Sequence, residues 1–518
     1  MTTAAAFTIL LCSMIVTVAS SAVNHRYLAG DPVPFYANKV GPYHNPSETY
    51  RYFDLPFCSP ERAKDKFEAL GEVLNGDRLV DSPYKVDFHV DVESKSVCRK
   101  KLTKEDVAKF RNAVSNDYYF QMYFDDLPVW GFIGKVDKDS QTDPRDYKYF
   151  LYSHIRFTIL YNNDRVIEID AHAAVDAVVD VTEDEDTEVE FLYSVKWEGT
   201  STPFASRMDR FLLPSMLPHQ LRIHWFSIIN SCGTVLLLVG FFGTILLRIL
   251  KNDFRRYAED DESGEDQDET GWKNIHGDVF RFPTNKSLFA AFIGSGTQLI
   301  ALTIFIFILA IIGVFYPYNR GALFTALVVI YTLTSGIAGY VAANFYRQIE
   351  GTNWVPCRTT KYPREIPQLP WCRGTVPQMA IAGFLPFSAI YMELYYVFTS
   401  IWGHRVYAVY SILFLTFVIL VIVTAFVTVT LTYFQLAAED HKWWWRSFLS
   451  GGSTGLFIYG YCFYYYYARS YMSGFMQTSF FFGYMACVSY GFFLMLGTVA
   501  FHSALCFVRY IYRSIKCE

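Results

Sequence analysis

Long apolar runs limit what this chain can fold into more than any other feature of its sequence. A membrane-spanning helix needs about 20 consecutive, mostly apolar residues. Seven such runs follow residue 224: Trp225–Leu250, Ser287–Phe315, Ala322–Phe345, Val376–Trp402, Val406–Phe434, Phe448–Ala468 and Phe475–Val508. The sequence therefore predicts a multi-pass α-helical membrane protein that lies in a lipid bilayer.

Composition agrees with this prediction, and charge is unevenly distributed. Hydrophobic residues make up 52% of the 518 residues. The net charge of -5 is an average over regions of different charge. Eight of the twelve residues from Ala258 to Glu269 are acidic, a pattern typical of a solvated, flexible loop. Basic residues instead flank the apolar runs, and no nucleic-acid partner is implied.

The N-terminus carries a shorter apolar run, Phe7–Val18, followed by the small residues Ala19–Ala22. The run is too short for a typical span, so residues 1–22 are interpreted as a signal peptide cleaved after Ala22, with a first membrane anchor as the alternative. Residues 23–224 would then enter the lumen of the secretory pathway. Cys58 and Cys98 are the two cysteines of that segment, and in an oxidising compartment we expect them to pair rather than remain free thiols.

The luminal segment has the pattern of a mainly β domain. Alternating apolar and polar residues predict strands over Tyr84–Val92, His154–Asn162 and Val189–Trp197. One helix is predicted near Thr103–Ala113, because Thr103 with Asp106 three residues later fits a helix start. The predicted fold is thus a luminal mainly β N-terminal domain followed by a helical membrane bundle.

Topology follows from the span count and the loop charges. The predicted order is a luminal domain at 23–224, a first membrane helix at 225–250, an acidic cytosolic loop at 251–286, a multi-span region at 287–508 and a tail at 509–518. Seven crossings from a luminal start leave the tail in the cytosol. The predicted cytosolic loops are rich in Lys and Arg, which agrees with that orientation.

Glu393 is the strongest single candidate for a functional side chain. It lies in the middle of an apolar span, where an isolated charge is costly and needs a partner or a protein interior. Two interpretations stay open: a contact with another protein or an ion within the helical bundle, or a structural acid that is protonated or bonded to tyrosine. Pro386, about two turns earlier, could kink the helix and open space beside it.

No catalytic centre or cofactor site is predicted. Gly451–Gly455 matches the G-x-S-x-G pattern of serine hydrolases, and His502 lies in a later span. That pattern requires a strand and a strained turn, whereas here it begins a membrane helix, in which small residues permit close packing. No phosphate loop or metal-spaced His/Cys cluster is found, and we expect no enzymatic activity.

Several longer stretches carry a family resemblance: Asn38–Cys58, Asp125–Gly134, His224–Ser231, Gly271–Arg281, Pro356–Pro367, Ala438–Leu449 and Met472–Met485. Together they resemble the transmembrane nine superfamily, the nonaspanins. The resemblance implies a luminal β-rich domain, nine membrane helices, location in Golgi and endosomal membranes, and a role in sorting other membrane proteins. It also implies that the terminal residues Lys516, Cys517 and Glu518 match the family's Lys-x-Asp/Glu motif, which is thought to bind the COPI coat and retain the protein in the Golgi.

The chain departs from the family pattern in its number of helices. Family members place two further helices just before the Pro356–Pro367 stretch, and here Val355 runs directly into Pro356. A skipped exon, an erroneous gene model and a true loss remain open as explanations. The resulting hypothesis is a non-enzymatic sorting factor whose helix faces engage client transmembrane segments, and the alternative is a transporter or channel that uses Glu393.

Overall fold

The computed structural model describes residues 25–60, 64–138, 147–209, 218–263, 271–315, 321–350, 357, 359–368, 370–403 and 410–514. The chain forms two compact units. The first comprises the β-rich part before residue 218 together with the short segments 312–326 and 399–406, and the second comprises the rest. The predicted signal cleavage at Ala22, the Val355–Pro356 junction, and Lys516 and Glu518 lie outside the described residues.

The first unit contains three antiparallel or mixed sheets and two short helices. Its strands are β1 Phe35–Pro42, β2 Tyr50–Arg51, β3 Val80–Asp81, β4 Val92–Leu102, β5 Tyr118–Phe124, β6 Leu127–Phe132, β7 Gly134–Asp137, β8 Lys148–Tyr152, β9 His154–Asn162, β10 Arg165–Ala173, β11 Val178–Asp180 and β12 Thr187–Gly199, and its helices are α1 Leu70–Leu74 and α2 Lys104–Ser115. The sheets have the orders β2-β1-β5-β6 with β3 beside β1, β10-β9-β12-β4, and β11-β8-β7. The prediction of a mainly β domain is confirmed.

The local predictions in this unit had mixed outcomes. Thr103 caps α2, since its hydroxyl accepts from the backbone N–H of Asp106 at 3.4 Å, as expected. The strand predicted over Tyr84–Val92 is wrong: this stretch pairs only through an isolated bridge at Asp87 before β4 begins. Tyr84, Val86 and Phe88 are nevertheless buried, and Val86 and Phe88 make backbone hydrogen bonds to residues 30–33. The alternation therefore records core contacts, with too few backbone bonds to form a strand.

The disulfide and a buried ion pair hold distant segments of this unit together. Cys58 and Cys98 are joined, with their Cα atoms 6.1 Å apart. The β5–β6 hairpin turns through Asp125 and Asp126, whose φ angles of 49° and 64° fit the two-residue turn favoured by strand twist. The turn carries the buried Asp125 carboxylate toward Arg207, whose Nη1 donates to it at 2.7 Å.

The second unit consists mainly of long helices. Its helices are α3 Pro218–Ser263, α4 Lys286–Ile312, α5 Ala322–Glu350, α6 Thr375–Ile401, α7 Tyr410–Ala437, α8 Trp443–Arg469 and α9 Phe475–Arg513. Among the described residues, six helices are long and apolar enough to cross a membrane, α3 to α7 and α9. The seventh predicted span coincides with α8, whose 27 residues are long enough to cross a bilayer but whose tyrosine, glycine and serine content leaves it out of the count by composition.

One further expectation needs correction. The sequence predicts an acidic loop that begins directly after Leu250, but α3 continues through Ser263, so the first acidic residues of that loop are helical. An apolar span already supplies the helix nucleus, and extending an existing helix is far easier than starting one. Glutamate also has a good helix propensity.

Candidate functional site

Three stretches singled out in the sequence meet at one end of the helical unit. We call this group the end cluster: residues 271–281, the described residues of 357–368, and residues 438–446. It lies where α7 ends and α8 begins, and it also contacts the last turn of α9 through Tyr512, whose hydroxyl donates to the Trp272 carbonyl at 2.5 Å. The polar residues of the end cluster are therefore gathered by the ends of several helices.

Asp278 connects two of these stretches. It is 4% exposed and accepts from Arg281 Nη2 at 2.7 Å, from Thr360 Oγ1 at 2.9 Å and from the backbone N–H of Arg364 at 3.1 Å. Burial by itself raises the pKa of Asp278, but the hydrogen bonds from Arg281, Thr360 and Arg364 outweigh burial, and the pKa lies below its ordinary value. Asp278 is thus ionised at neutral pH and fixes the segment that follows the Val355–Pro356 junction.

A second carboxylate ties α3 to the end cluster and to α7. Asp253 accepts from the Trp272 indole N–H at 3.1 Å and from the Tyr433 hydroxyl at 2.6 Å. Glu439, which has a φ of 60°, accepts from the backbone N–H of Gly271 and from Asn274 Nδ2, both at 3.2 Å. These bonds join elements far apart in the sequence.

The aromatic run after α7 is part of the same cluster. Trp443 and Trp444 are buried, and Trp443 donates its indole N–H to the Val279 carbonyl at 2.9 Å. Trp445 donates to the Thr284 carbonyl at the same distance. These tryptophans therefore contact protein at this end of the helical unit.

His441 is a titratable group buried inside the end cluster. It is 5% exposed, and its Nδ1 has no hydrogen-bond partner among the described residues. Burial lowers the pKa of His441 below its ordinary value, although the nearby Asp278 and Asp440 carboxylates act in the opposite direction. The neutral imidazole is therefore the favoured form in the folded chain.

Glu393 lies on α6, away from the residues of the end cluster. It is 5% exposed, so the carboxyl group lies in the protein interior rather than in lipid. Neighbouring positions of α6 contact α8 through rings: Tyr391 and Phe398 both contact Tyr461, with centroids 5.5 and 5.2 Å apart. Pro386 lies inside the same helix and is buried.

The G-x-S-x-G stretch forms part of a continuous helix. Residues 451–455 lie within α8, and the Ser453 hydroxyl is 2.6 Å from the Ser450 carbonyl and 2.8 Å from the Met379 carbonyl. A Cβ atom added to Gly455 would lie 2.5 Å from the Ser489 carbonyl of α9. The small residues therefore allow α8 to pack closely against its neighbours.

Comparison with known proteins identifies the family. The Endomembrane protein 70 family model matches residues 49–356 and again 355–475. Transmembrane 9 superfamily member 3 of Arabidopsis thaliana is 63% identical over 572 aligned positions, covering 97% of both chains. This chain is a nonaspanin. Member 1 of the superfamily from Bos taurus is 42% identical, covering 95% of this nonaspanin and 94% of the relative. "Putative phagocytic receptor 1b" of Dictyostelium discoideum is 41% identical, covering 98% of both chains. No solved structure matches.

The comparisons also show that this nonaspanin has fewer residues than its relatives over the matched length. The alignment with the Arabidopsis relative has 572 positions and this nonaspanin has 518 residues, so at least 54 positions face no residue of the chain. The two stretches matched by the family model meet at residues 355 and 356. A segment of that size is long enough for two spans of about 20 residues, which stays our interpretation of the difference.

The sequence did not reveal which residues the end cluster brings together. Asp278 lies in one of the stretches that carry the family resemblance, and His441 and Arg446 lie in another. The available signal is that these three stretches combine polar and aromatic residue types near span ends. Nothing in the sequence alone indicated that these stretches contact one another.

Proposed function

We propose that this nonaspanin sorts other membrane proteins in Golgi and endosomal membranes, without enzymatic activity. Its helices engage client transmembrane segments, and its C-terminal residues Lys516 and Glu518 bind the COPI coat from the cytosol. The description of the matched family, Endomembrane protein 70, supports an endomembrane location. The name of the Dictyostelium relative, a putative receptor, is compatible with binding other molecules.

A pair of uncovered glycines on α5 carries this proposal. No described atom lies within 4 Å of where a Cβ would stand at Gly336 or Gly339. At Gly294 of α4, by contrast, an added Cβ would lie 2.5 Å from the Ala338 carbonyl of α5. The protein uses glycine for close helix contacts inside the bundle, and the pair on α5 offers the same kind of contact to a helix from another chain.

The distribution of charge favours sorting over transport. In α4 to α9, every Lys, Arg, Asp and Glu other than Glu393 lies within about four residues of a helix end. Proton and ion pathways through helical bundles are usually marked by several ionisable groups at membrane depth. A single buried carboxyl group does not supply the succession of ionisable groups that a solute path uses.

Proteoliposomes containing the purified full chain separate the two functions. Proton and K⁺ flux should equal that of empty liposomes, and the Glu393→Gln variant should behave as the wild type does. In cells, the same variant should reach the Golgi normally and deliver fewer membrane proteins to the surface. Flux that disappears in Glu393→Gln would overturn the sorting function in favour of the transporter.

The coat-binding part of the proposal has a separate test. Lys516→Ala should reduce coatomer binding and shift the protein from the Golgi toward later compartments. The reason is that the Lys516 ammonium group and the two carboxylates of Glu518 supply charge-assisted hydrogen bonds to the coat. Arg513→Ala is the matched control, since Arg513 is a nearby exposed cation outside the motif. An unchanged Golgi distribution of Lys516→Ala would contradict this role of the tail.

A further inference from the structure

A small cleft opens in the helical unit beside the end cluster. It lies where the C-terminal end of α7 meets the first turns of α6 and α8, and its volume is about 70 Å³. Its lining residues are Arg373, Gln378, Phe434, Gln435, Ala438 and Arg446. Pockets for drug-sized ligands measure about 300–1,000 Å³, so this cleft can hold only one compact chemical group.

Two of the residues that line the cleft carry buried hydrogen-bond donors without acceptors among the described residues. Gln435 is 5% exposed, and its Nε2 has no hydrogen-bond partner among the described residues. The buried Nε of Arg446 also lacks a partner within the part of the chain that the structure describes. A buried donor left unpaired costs about 1–3 kcal/mol, so a ligand rich in acceptor oxygens would relieve both.

The charge around the cleft is positive. The Arg446 guanidinium is bound by the Asp440 carboxylate, and its Nη2 donates at 2.6 Å to both the Arg373 carbonyl and Gln378 Oε1. Asp440 also accepts from the backbone N–H of Lys442 at 3.0 Å, so its charge is already compensated. The exposed Arg373 side chain has no carboxylate partner among the described residues, and it leaves the cleft with an excess positive charge.

Two helix starts add to this field. Gln378 lies in the first turn of α6, and Arg446 lies in the first turn of α8. The start of a helix carries a partial positive charge that favours a nearby anion. At α6 this is a field effect only, because the Gln378 N–H is bonded to the Gly374 carbonyl at 3.3 Å and Pro377 has no N–H. Buried donors, a cation and two helix starts therefore converge on the same small space.

We propose that this cleft binds a phosphate group, carried by the headgroup of an anionic phospholipid. The cleft lies at the ends of membrane helices, where headgroups are found. The planar Arg373 guanidinium can hold two phosphate oxygens, while Gln435 and Arg446 donate to the phosphate from the buried side. Phe434, which is 47% exposed, borders the same cleft and offers an apolar contact for the lipid's glycerol and acyl region.

The test uses the purified full chain in nanodiscs of phosphatidylcholine, with and without phosphatidic acid, followed by detergent extraction and native mass spectrometry to count retained lipid. Arg373→Gln and Gln435→Leu should each reduce retention of phosphatidic acid about tenfold, the equivalent of one lost charge-assisted hydrogen bond. Lys442→Gln is the matched control, because Lys442 is an exposed cation that does not line the cleft. It should retain lipid as the wild type does.

Thermal unfolding keeps folding separate from binding. Gln435→Leu removes an unpaired donor, so it should unfold at or above the wild-type temperature while losing lipid. Inorganic phosphate, added to phosphatidylcholine nanodiscs, identifies the source: equal thermal stabilisation by phosphate and by phosphatidic acid would overturn the lipid assignment. Equal lipid retention by the wild type and both cleft variants would overturn the site altogether, as would an equal loss in Lys442→Gln.

Discussion

Asp125 in the β-rich unit and Asp278 in the helical unit are both buried carboxylates whose charge is compensated by an arginine. Their surroundings differ. Asp125 is 3% exposed and accepts from Tyr27 Oη at 2.6 Å and Arg207 Nη1 at 2.7 Å, and it lies 2.7 Å from His25 Nδ1. Asp278 is 4% exposed, but its cationic partner Arg281 keeps 29% of its side chain in contact with solvent. Asp125 therefore lies deep in a hydrophobic core, whereas Asp278 lies just below a solvent-exposed surface.

The difference shows how each unit is stabilised. Around Asp125, the domain already has a core of packed rings and a disulfide, as in a water-soluble protein whose stability comes from burying apolar surface. Helices in lipid gain little from such burial, because lipid tails are as apolar as leucine. In the helical unit the polar bonds of the end cluster therefore carry more of the specificity of packing, although each one is closer to water.

Asp125→Asn should have the largest effect. Both Asp125 and Arg207 are almost completely buried, with side chains 1% and 5% exposed, so the substitution leaves a buried guanidinium without its counter-charge. We expect a loss of about 3 kcal/mol in the free energy of unfolding of the β-rich unit. Limited proteolysis of the full chain across a urea series measures it. Asp126→Asn is the matched control, since it occupies the same turn and its contact with Lys66 is long, at 3.8 Å, and partly exposed; similar losses in both variants would contradict the assignment.

Asp278→Asn should cost less, about 2 kcal/mol, because Arg281 can be rehydrated when its partner loses charge. Its effect should be concentrated in the end cluster. Hydrogen exchange should speed up in residues 271–281 and 359–368 and remain unchanged in the β strands. Glu365→Gln changes an exposed carboxylate in the same segment and should leave exchange as in the wild type. Exchange that increases across all helices equally would show that Asp278 does not act locally.

The smallest effect concerns pH. Burial lowers the pKa of His441, so the folded chain binds fewer protons than the unfolded chain, and stability falls as pH drops below the ordinary histidine value of 6.5. A single proton accounts for at most about 1.4 kcal/mol per pH unit. His441→Gln should therefore flatten the decrease in unfolding temperature between neutral and mildly acidic pH. An identical pH dependence in the wild type and His441→Gln would exclude His441 as the source.

The sequence predicted those parts of this nonaspanin whose signal is local. The capped helix after Thr103, the strand His154–Asn162 and the long spans each carry their own periodicity or length. The error at Tyr84–Val92 arose because alternation reports which side chains are buried and not which backbone groups pair. The phosphate cleft could not be predicted, because its residues are far apart in the sequence: Arg373 precedes α6, Gln435 lies in α7 and Arg446 lies in α8. In addition, Gln435 looks like an ordinary polar residue near a span end.

Delivery of membrane proteins to the cell surface tests the central claim most directly. In cells lacking this nonaspanin, surface biotinylation with quantitative proteomics would define the set of proteins whose surface level falls. The wild type should restore the surface level of that set, and so should the control Gly460→Leu, which places a side chain at an uncovered glycine position on α8. The double variant Gly336→Leu with Gly339→Leu should not restore it. All three proteins are compared at equal levels in the Golgi. Full restoration by the double variant would contradict the account, because it would show that the uncovered face of α5 has no part in recognising clients.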